Sequence, residues 1–182
     1  MTTVINNQIQ EIINKLVEIK PSIVVIDGED GVGKTHVIAP LMANALDAHI
    51  FSIDNYLDNN KGGYVDFVDY EKLKQDISNV KDSKPVVLEG LMMLLVVKKL
   101  GMVADYFLYV GSISWVEEWL GDGGNYEKPL NNVISKIENN VNLISKLINS
   151  TAEWKMPKPR EEIYQYTYNY KPFENAQAVL IV

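Results

Sequence analysis

The chain reads as an α/β protein built on a parallel, mostly five-stranded sheet with helices on both faces. Two observations point there. Short, wholly apolar runs such as Ile23-Val24-Val25-Ile26 and Pro85-Val86-Val87-Leu88 alternate with segments of helical periodicity. The first of these runs leads straight into Gly28-Glu29-Asp30-Gly31-Val32-Gly33-Lys34-Thr35, a GxxxxGKT sequence of the kind that joins a strand to a helix in P-loop folds. With 182 residues, 47% of them hydrophobic, the chain suits one domain with a sizeable core.

In chain order, Met1 to Lys20 carries Ile5, Ile9, Ile12, Leu16 and Ile19 at helical spacing and predicts an amphipathic helix. It lacks the basic start and continuous apolar stretch of a signal peptide. Ile23 to Asp27 is the first strand, followed by the glycine loop and a helix from Gly33 to about Leu46. Pro40 lies inside that helix, where its missing N–H and its ring predict a bent or shortened segment.

His49 to Ile53 forms a second strand ending at Asp54. Asn59, Asn60, Lys61, Gly62 and Gly63 mark a loop, and Val65 to Val80 returns to helical spacing. Pro85 to Leu88 is the third strand, ending at Glu89-Gly90. A helix over Leu91 to Leu100 is stopped by Gly101, and Ala104 to Val110 is the fourth strand.

Residues 111–160 carry no strand pattern. Val133, Ile134, Ile137, Val141, Ile144, Leu147 and Ile148 mark a long amphipathic helix that breaks before Pro157 and Pro159. Trp115 and Trp119 share one helix face, suited to the core or to a partner chain, and Gly121-Asp122-Gly123-Gly124 is a turn that suits a hinge. Tyr164, Tyr166, Tyr168 and Tyr170 recur at every second residue, a spacing that fits a strand or a base-stacking surface, and that in a helix spreads them over its surface for partial burial or a partner contact, the favoured reading. Ala178 to Val182 is the last strand.

Charge and composition exclude several function classes. A net charge of −7 without a lysine or arginine cluster argues against a nucleic-acid partner. The absence of cysteine excludes disulfides and thiolate zinc sites, and His36 and His49 have no metal-ligand spacing. The most apolar stretch, Leu91 to Val97, is far short of the ~20 residues of a membrane span. The expectation is a cytoplasmic protein with no membrane partner; a homo-oligomer remains compatible with the sequence.

The glycine loop predicts the chemistry. Glycines 28, 31 and 33 let successive N–H groups face an anion, Lys34 adds a point charge, and Thr35 offers a hydroxyl to Mg²⁺. Gly28, Glu29, Asp30, Gly31, Val32, Gly33, Lys34 and Thr35 are therefore expected to bind the phosphates of ATP or another nucleoside triphosphate. Ligands of parallel sheets lie beyond the carboxyl ends of the strands, and two carboxylates fall there. Glu89 is suited to the metal, Asp54 to accepting a proton from an alcohol; the plain alternative for each is a solvated strand-end carboxylate.

Ser52-Ile53-Asp54-Asn55-Tyr56, then Val65-Asp66-Phe67-Val68-Asp69-Tyr70-Glu71-Lys72-Leu73, then Val87-Leu88-Glu89-Gly90-Leu91, resemble the successive motifs of the uridine kinase and phosphoribulokinase family. Tyr170 to Ala176 before the last strand is also similar. The resemblance implies phosphoryl transfer from ATP to a hydroxyl of a small-molecule acceptor. Asp54 would be the catalytic base, with Tyr56 and Asp66 near the acceptor, Lys34 on the transferring phosphoryl group, and Glu89 assisting the metal. Residues 111–160 would be the helical lid. Family members carry lid arginines, whereas Ser112 to Gly124 has none, Arg160 is the chain's only arginine, and Lys128, Lys136, Lys155 and Lys158 are the available substitutes. A nucleoside monophosphate kinase, or a nucleotide-binding regulatory module with weak transfer, are the alternative readings.

Overall fold

A computed structural model describes residues 4–6, 9–58, 63–147 and 154–182. Loop positions Asn59 to Gly62 and the helix position Ile148 lie outside these. The chain folds as an α/β structure around an all-parallel sheet, as the apolar runs predict.

The elements in chain order are β1 (Val4–Asn6), α1 (Ile9–Ile19), β2 (Ile23–Gly28), α2 (Ala39–Leu46), β3 (His49–Ser52), α3 (Tyr70–Val80), β4 (Val86–Glu89) and α4 (Met93–Leu100). There follow β5 (Tyr106–Gly111), α5 (Ile113–Leu120), α6 (Leu130–Leu147), α7 (Lys158–Tyr170), α8 (Pro172–Asn175) and β6 (Ala178–Ile181). The strand order is β1-β6-β5-β2-β4-β3. Five of the six strands are those expected. The sixth, β1, corrects the expectation of helix from Met1: Val4 to Asn6 pairs in parallel with β6, and helix begins only at Ile9.

Alternation along the buried strands divides the core into two layers. Val24 and Ile26 of β2, with Tyr106, Leu108 and Val110 of β5, pack against Ile12, Leu16 and Met42 of α1 and α2. Val25, Phe107 and Tyr109 face the other way, toward Leu73, Ile77, Met93, Val96, Trp115, Trp119 and Tyr164. Strands buried on both faces must be apolar at consecutive positions, which is why these runs do not alternate in sequence.

Trp115 and Trp119 are therefore core residues, 8% and 1% exposed, with their rings edge-on at 5.8 Å. The expected lid segment begins with a helix anchored in the core. The glycine turn after it is close-packed: the N–H of Gly124 donates to the Gly121 carbonyl at 2.7 Å. Among the described residues no helix is long and apolar enough to cross a membrane.

Pro40 shapes the segment after the loop. Lys34–Ile38 forms a single wide π turn in which the Gly33 carbonyl accepts from both Val37 N–H (3.0 Å) and Ile38 N–H (3.2 Å). The α-helix starts afterwards, with Pro40 in its first turn. The predicted shortening thus takes the form of a π turn, a geometry that relieves the clash between the proline ring and the preceding turn.

Candidate phosphate site at the sheet's carboxyl edge

β2 lies between β4 and β5, and the chain leaves it in one direction toward β3 and β4 and returns on the other side at β5. The crevice beyond β2 is the topological switch point, where loops diverge and leave room for a ligand. The glycine loop occupies it.

Gly28 ends β2 with φ +151, and a Cβ there would lie 1.9 Å from the Val110 carbonyl oxygen. Only glycine lets the loop leave the sheet this close to β5. Glu29 then locks to β5 and α5. Its N–H donates to the Val110 carbonyl at 2.9 Å, and its carboxylate accepts from Ser112 N–H (2.8 Å) and the Ser112 hydroxyl (2.6 Å). Glu29 is thus a brace for the loop, with its side chain turned to α5.

Lys34 is 7% exposed, and its ammonium donates to the carbonyls of Gly28 (3.2 Å) and Glu29 (2.6 Å). Burial pushes its pKa down, while Asp27, Glu89, Asp30 and Asp54 push it back up. The lysine lies folded across the loop's own carbonyls, its ammonium held at the cavity wall.

Thr35 and Glu89 meet. The threonine hydroxyl donates to Glu89 Oε2 at 3.0 Å, while Glu89, 1% exposed, keeps its Oε1 buried with no hydrogen-bond partner. A buried carboxylate oxygen without a donor is costly and calls for a cation. Both residues, with Lys34, Asp54, Gly90 and Leu91, line a cavity of about 230 Å³ against the loop. Three carboxylates, Asp30, Asp54 and Glu89, line it beside one lysine, a charge balance that suits a cation. Among the described residues no group of three or more acidic or histidine side chains forms a self-contained metal cage. The Thr35 hydroxyl beside the unpartnered Glu89 oxygen suits Mg²⁺, which takes few protein ligands and completes its shell with water and phosphate.

Asp54 sits in a short 3₁₀ turn, Ile53–Tyr56, directly after β3, and reaches the same cavity. One of its oxygens, Oδ1, accepts from the Tyr64 hydroxyl at 2.9 Å. Tyr56 and Asp66 lie elsewhere. The Tyr56 hydroxyl donates to Asp76 of α3 at 2.9 Å, and Asp66 pairs with Lys99 of α4 at 2.6 Å; neither lines the phosphate cavity.

A larger cavity of about 630 Å³ adjoins the first, sharing Asp30 and Leu91 with it, and is walled by Trp115, Tyr164 and Arg160. The only arginine of the chain thus stands beside the loop, brought there by α7 instead of by the segment after β5.

The buried residue that sequence reasoning missed is Asp27, 1% exposed at the root of the loop. It accepts from Gly28 N–H (2.8 Å), Met93 N–H (3.1 Å) and the Tyr166 hydroxyl. Burial raises its pKa from 3.8 to about 6, opposed by those hydrogen bonds and by Lys34. The only signal in the sequence was an acid closing an otherwise apolar strand. No protein-family model matches the chain, and no curated protein matches it in sequence.

Proposed function

We propose that the protein is an ATP-dependent kinase of the cytoplasm that transfers a phosphoryl group to a hydroxyl of a small molecule, in the manner of the uridine kinases. The observation that carries this reading is the convergence of Lys34, Thr35, Asp54 and Glu89 on one cavity against the glycine loop, from elements far apart in sequence.

The loop amides and Lys34 hold the phosphates and neutralise charge on the group in transfer. Thr35 and Glu89 hold Mg²⁺, which supplies Lewis-acid polarisation and screening of the phosphates. Asp54, one oxygen held by the Tyr64 hydroxyl, lines the cavity, where it orients and deprotonates the acceptor hydroxyl. The adjoining cavity beside Arg160 gives room for the body of a ligand whose phosphates lie in the loop.

A panel of nucleosides, sugars and related metabolites incubated with labelled ATP and Mg²⁺ tests the reading. Labelled product from one acceptor, lost in Asp54→Asn, supports it. ATP binding with no acceptor phosphorylated would favour a regulatory module instead.

A further inference from the structure

A third cavity, of about 480 Å³, lies between α4, α7 and the segment 63–67, and shares no wall residue with the phosphate cavity. Its size suits a ligand of a few rings. Tyr64, Phe67, Met92, Leu95, Tyr166 and Tyr170 form its apolar walls, and Tyr166 and Tyr170 stack at 5.6 Å with their planes 22° apart.

Its charges balance. Lys99 and Lys158 face Asp66 and Glu162, with Lys99 already on Asp66 at 2.6 Å. Asn169 and Gln165 add amides at the rim. Flat aromatic walls, amide edges and no net charge suit an uncharged heteroaromatic ring compound.

Two of those walls are wired to the phosphate site in the same way. The Tyr64 hydroxyl accepts from Leu91 N–H at 3.0 Å and donates to Asp54; the Tyr166 hydroxyl accepts from Leu94 N–H at 3.2 Å and donates to Asp27. The turn after Glu89 and the start of α4 are therefore held by two tyrosines, one bonded to Asp54 of the phosphate cavity and the other to Asp27 at the root of the loop. Met92, inside that turn and on the cavity wall, is held at φ +54, a strained backbone for a non-glycine residue. The Tyr64 hydroxyl also sits 2.7 Å from where a Gly90 Cβ would be, so the ring packs directly against the Gly90 backbone.

We propose that this cavity is a second small-molecule site, for an uncharged heteroaromatic ring compound of nucleoside size, and that its occupancy is transmitted to the phosphate loop through Tyr64 and Tyr166. Because the cavity shares no wall residue with the phosphate cavity that Asp54 lines, the ligand is an effector and not the phosphate acceptor. Binding at the cavity stands alone; its transmission rests on the phosphate-site reading.

The test is calorimetry on the full chain with adenosine, guanosine, cytidine and uridine as probes, alone and with a non-hydrolysable Mg-ATP analogue. At least one nucleoside should bind saturably. Its affinity should fall tenfold or more in Leu95→Trp and in the rim variant Asn169→Trp, which fill the cavity, and stay unchanged in Lys34→Ala. Saturation with it should shift the affinity for the analogue threefold or more, and that shift should vanish in Tyr64→Phe with Tyr166→Phe. No binding by any of the four, binding lost in Lys34→Ala, binding indifferent to both tryptophans, a nucleoside phosphorylated from this cavity, or an unchanged analogue affinity would each overturn the proposal. If the analogue itself fails to bind while the nucleoside does, the phosphate-site reading falls and the cavity remains a ligand site without its transmission.

Discussion

Thr35 and Glu89, 54 residues apart in sequence, are joined by a 3.0 Å hydrogen bond that leaves the other Glu89 oxygen buried and unpartnered. Registry explains the meeting. Glu89 pairs with Ile26 of β2 and with Ser52 of β3, so the ends of three strands and the start of the π turn converge on one point. A divalent ion there would satisfy the orphaned oxygen.

Glu89→Gln keeps the shape and the hydrogen-bond acceptor for Thr35 but removes the charge. The Mg²⁺ concentration that half-saturates ATP binding should rise about tenfold or more, equivalent to at least ~1.4 kcal/mol, with the melting temperature preserved. Magnesium titrations of nucleotide binding by both proteins measure this.

Asp54→Asn should leave ATP affinity within about twofold, while transfer to the acceptor falls on the order of 10²-fold or more, as expected for a lost general base. Calorimetry and single-turnover assays separate the two effects. An equal loss in both would assign Asp54 to nucleotide binding.

Asp27 makes stability depend on pH in the unusual direction for a carboxylate. Its folded pKa, about 6, exceeds its ordinary 3.8, so between these values the folded protein binds more protons than the unfolded chain. Stability from this group is greatest below about pH 4, declines as pH rises through 6, and the deficit above that is on the order of 3 kcal/mol. Urea unfolding at pH 4.5 and 7.5 should show a decline in the wild type that is smaller in Asp27→Asn.

Gly28→Ala should destabilise the fold by about 3 kcal/mol or more, because its methyl would strike the Val110 carbonyl at 1.9 Å. Gly31→Ala meets no atom within 4 Å and carries only the strain of φ +77, a cost of about 1–2 kcal/mol. Thermal melts of the two variants order them.

The sheet was legible because burial on both faces leaves an unbroken apolar mark, as in Val24-Val25-Ile26, and the loop because its glycines carry it in eight consecutive residues. Pro40 foretold the shortened helix from its missing N–H. Val4 to Asn6 was not legible: three residues are too few for periodicity, and Ile5 falls in register with Ile9 and Ile12. Val65 to Val80, read as one helix, is a 3₁₀ turn (Val65–Phe67) and then α3, capped by Asp69 accepting from Lys72 N–H at 3.0 Å. Asp54, Glu89 and the loop were read from strand ends, which topology gathers at one edge. Asp27 with Tyr166 was invisible, since a hydrogen bond across 139 residues has no local trace. Tyr166 appeared only as one of four alternating tyrosines; in α7 that spacing buries Tyr164 and Tyr166 and leaves Tyr170 at the surface.

Isothermal calorimetry of Mg-ATP with the full chain, beside Lys34→Ala, bears most directly on the loop as a phosphate cradle. A saturable, magnesium-dependent heat that weakens at least tenfold in Lys34→Ala is the predicted result. Folded protein that gives no heat with any Mg-bound nucleoside triphosphate would contradict it.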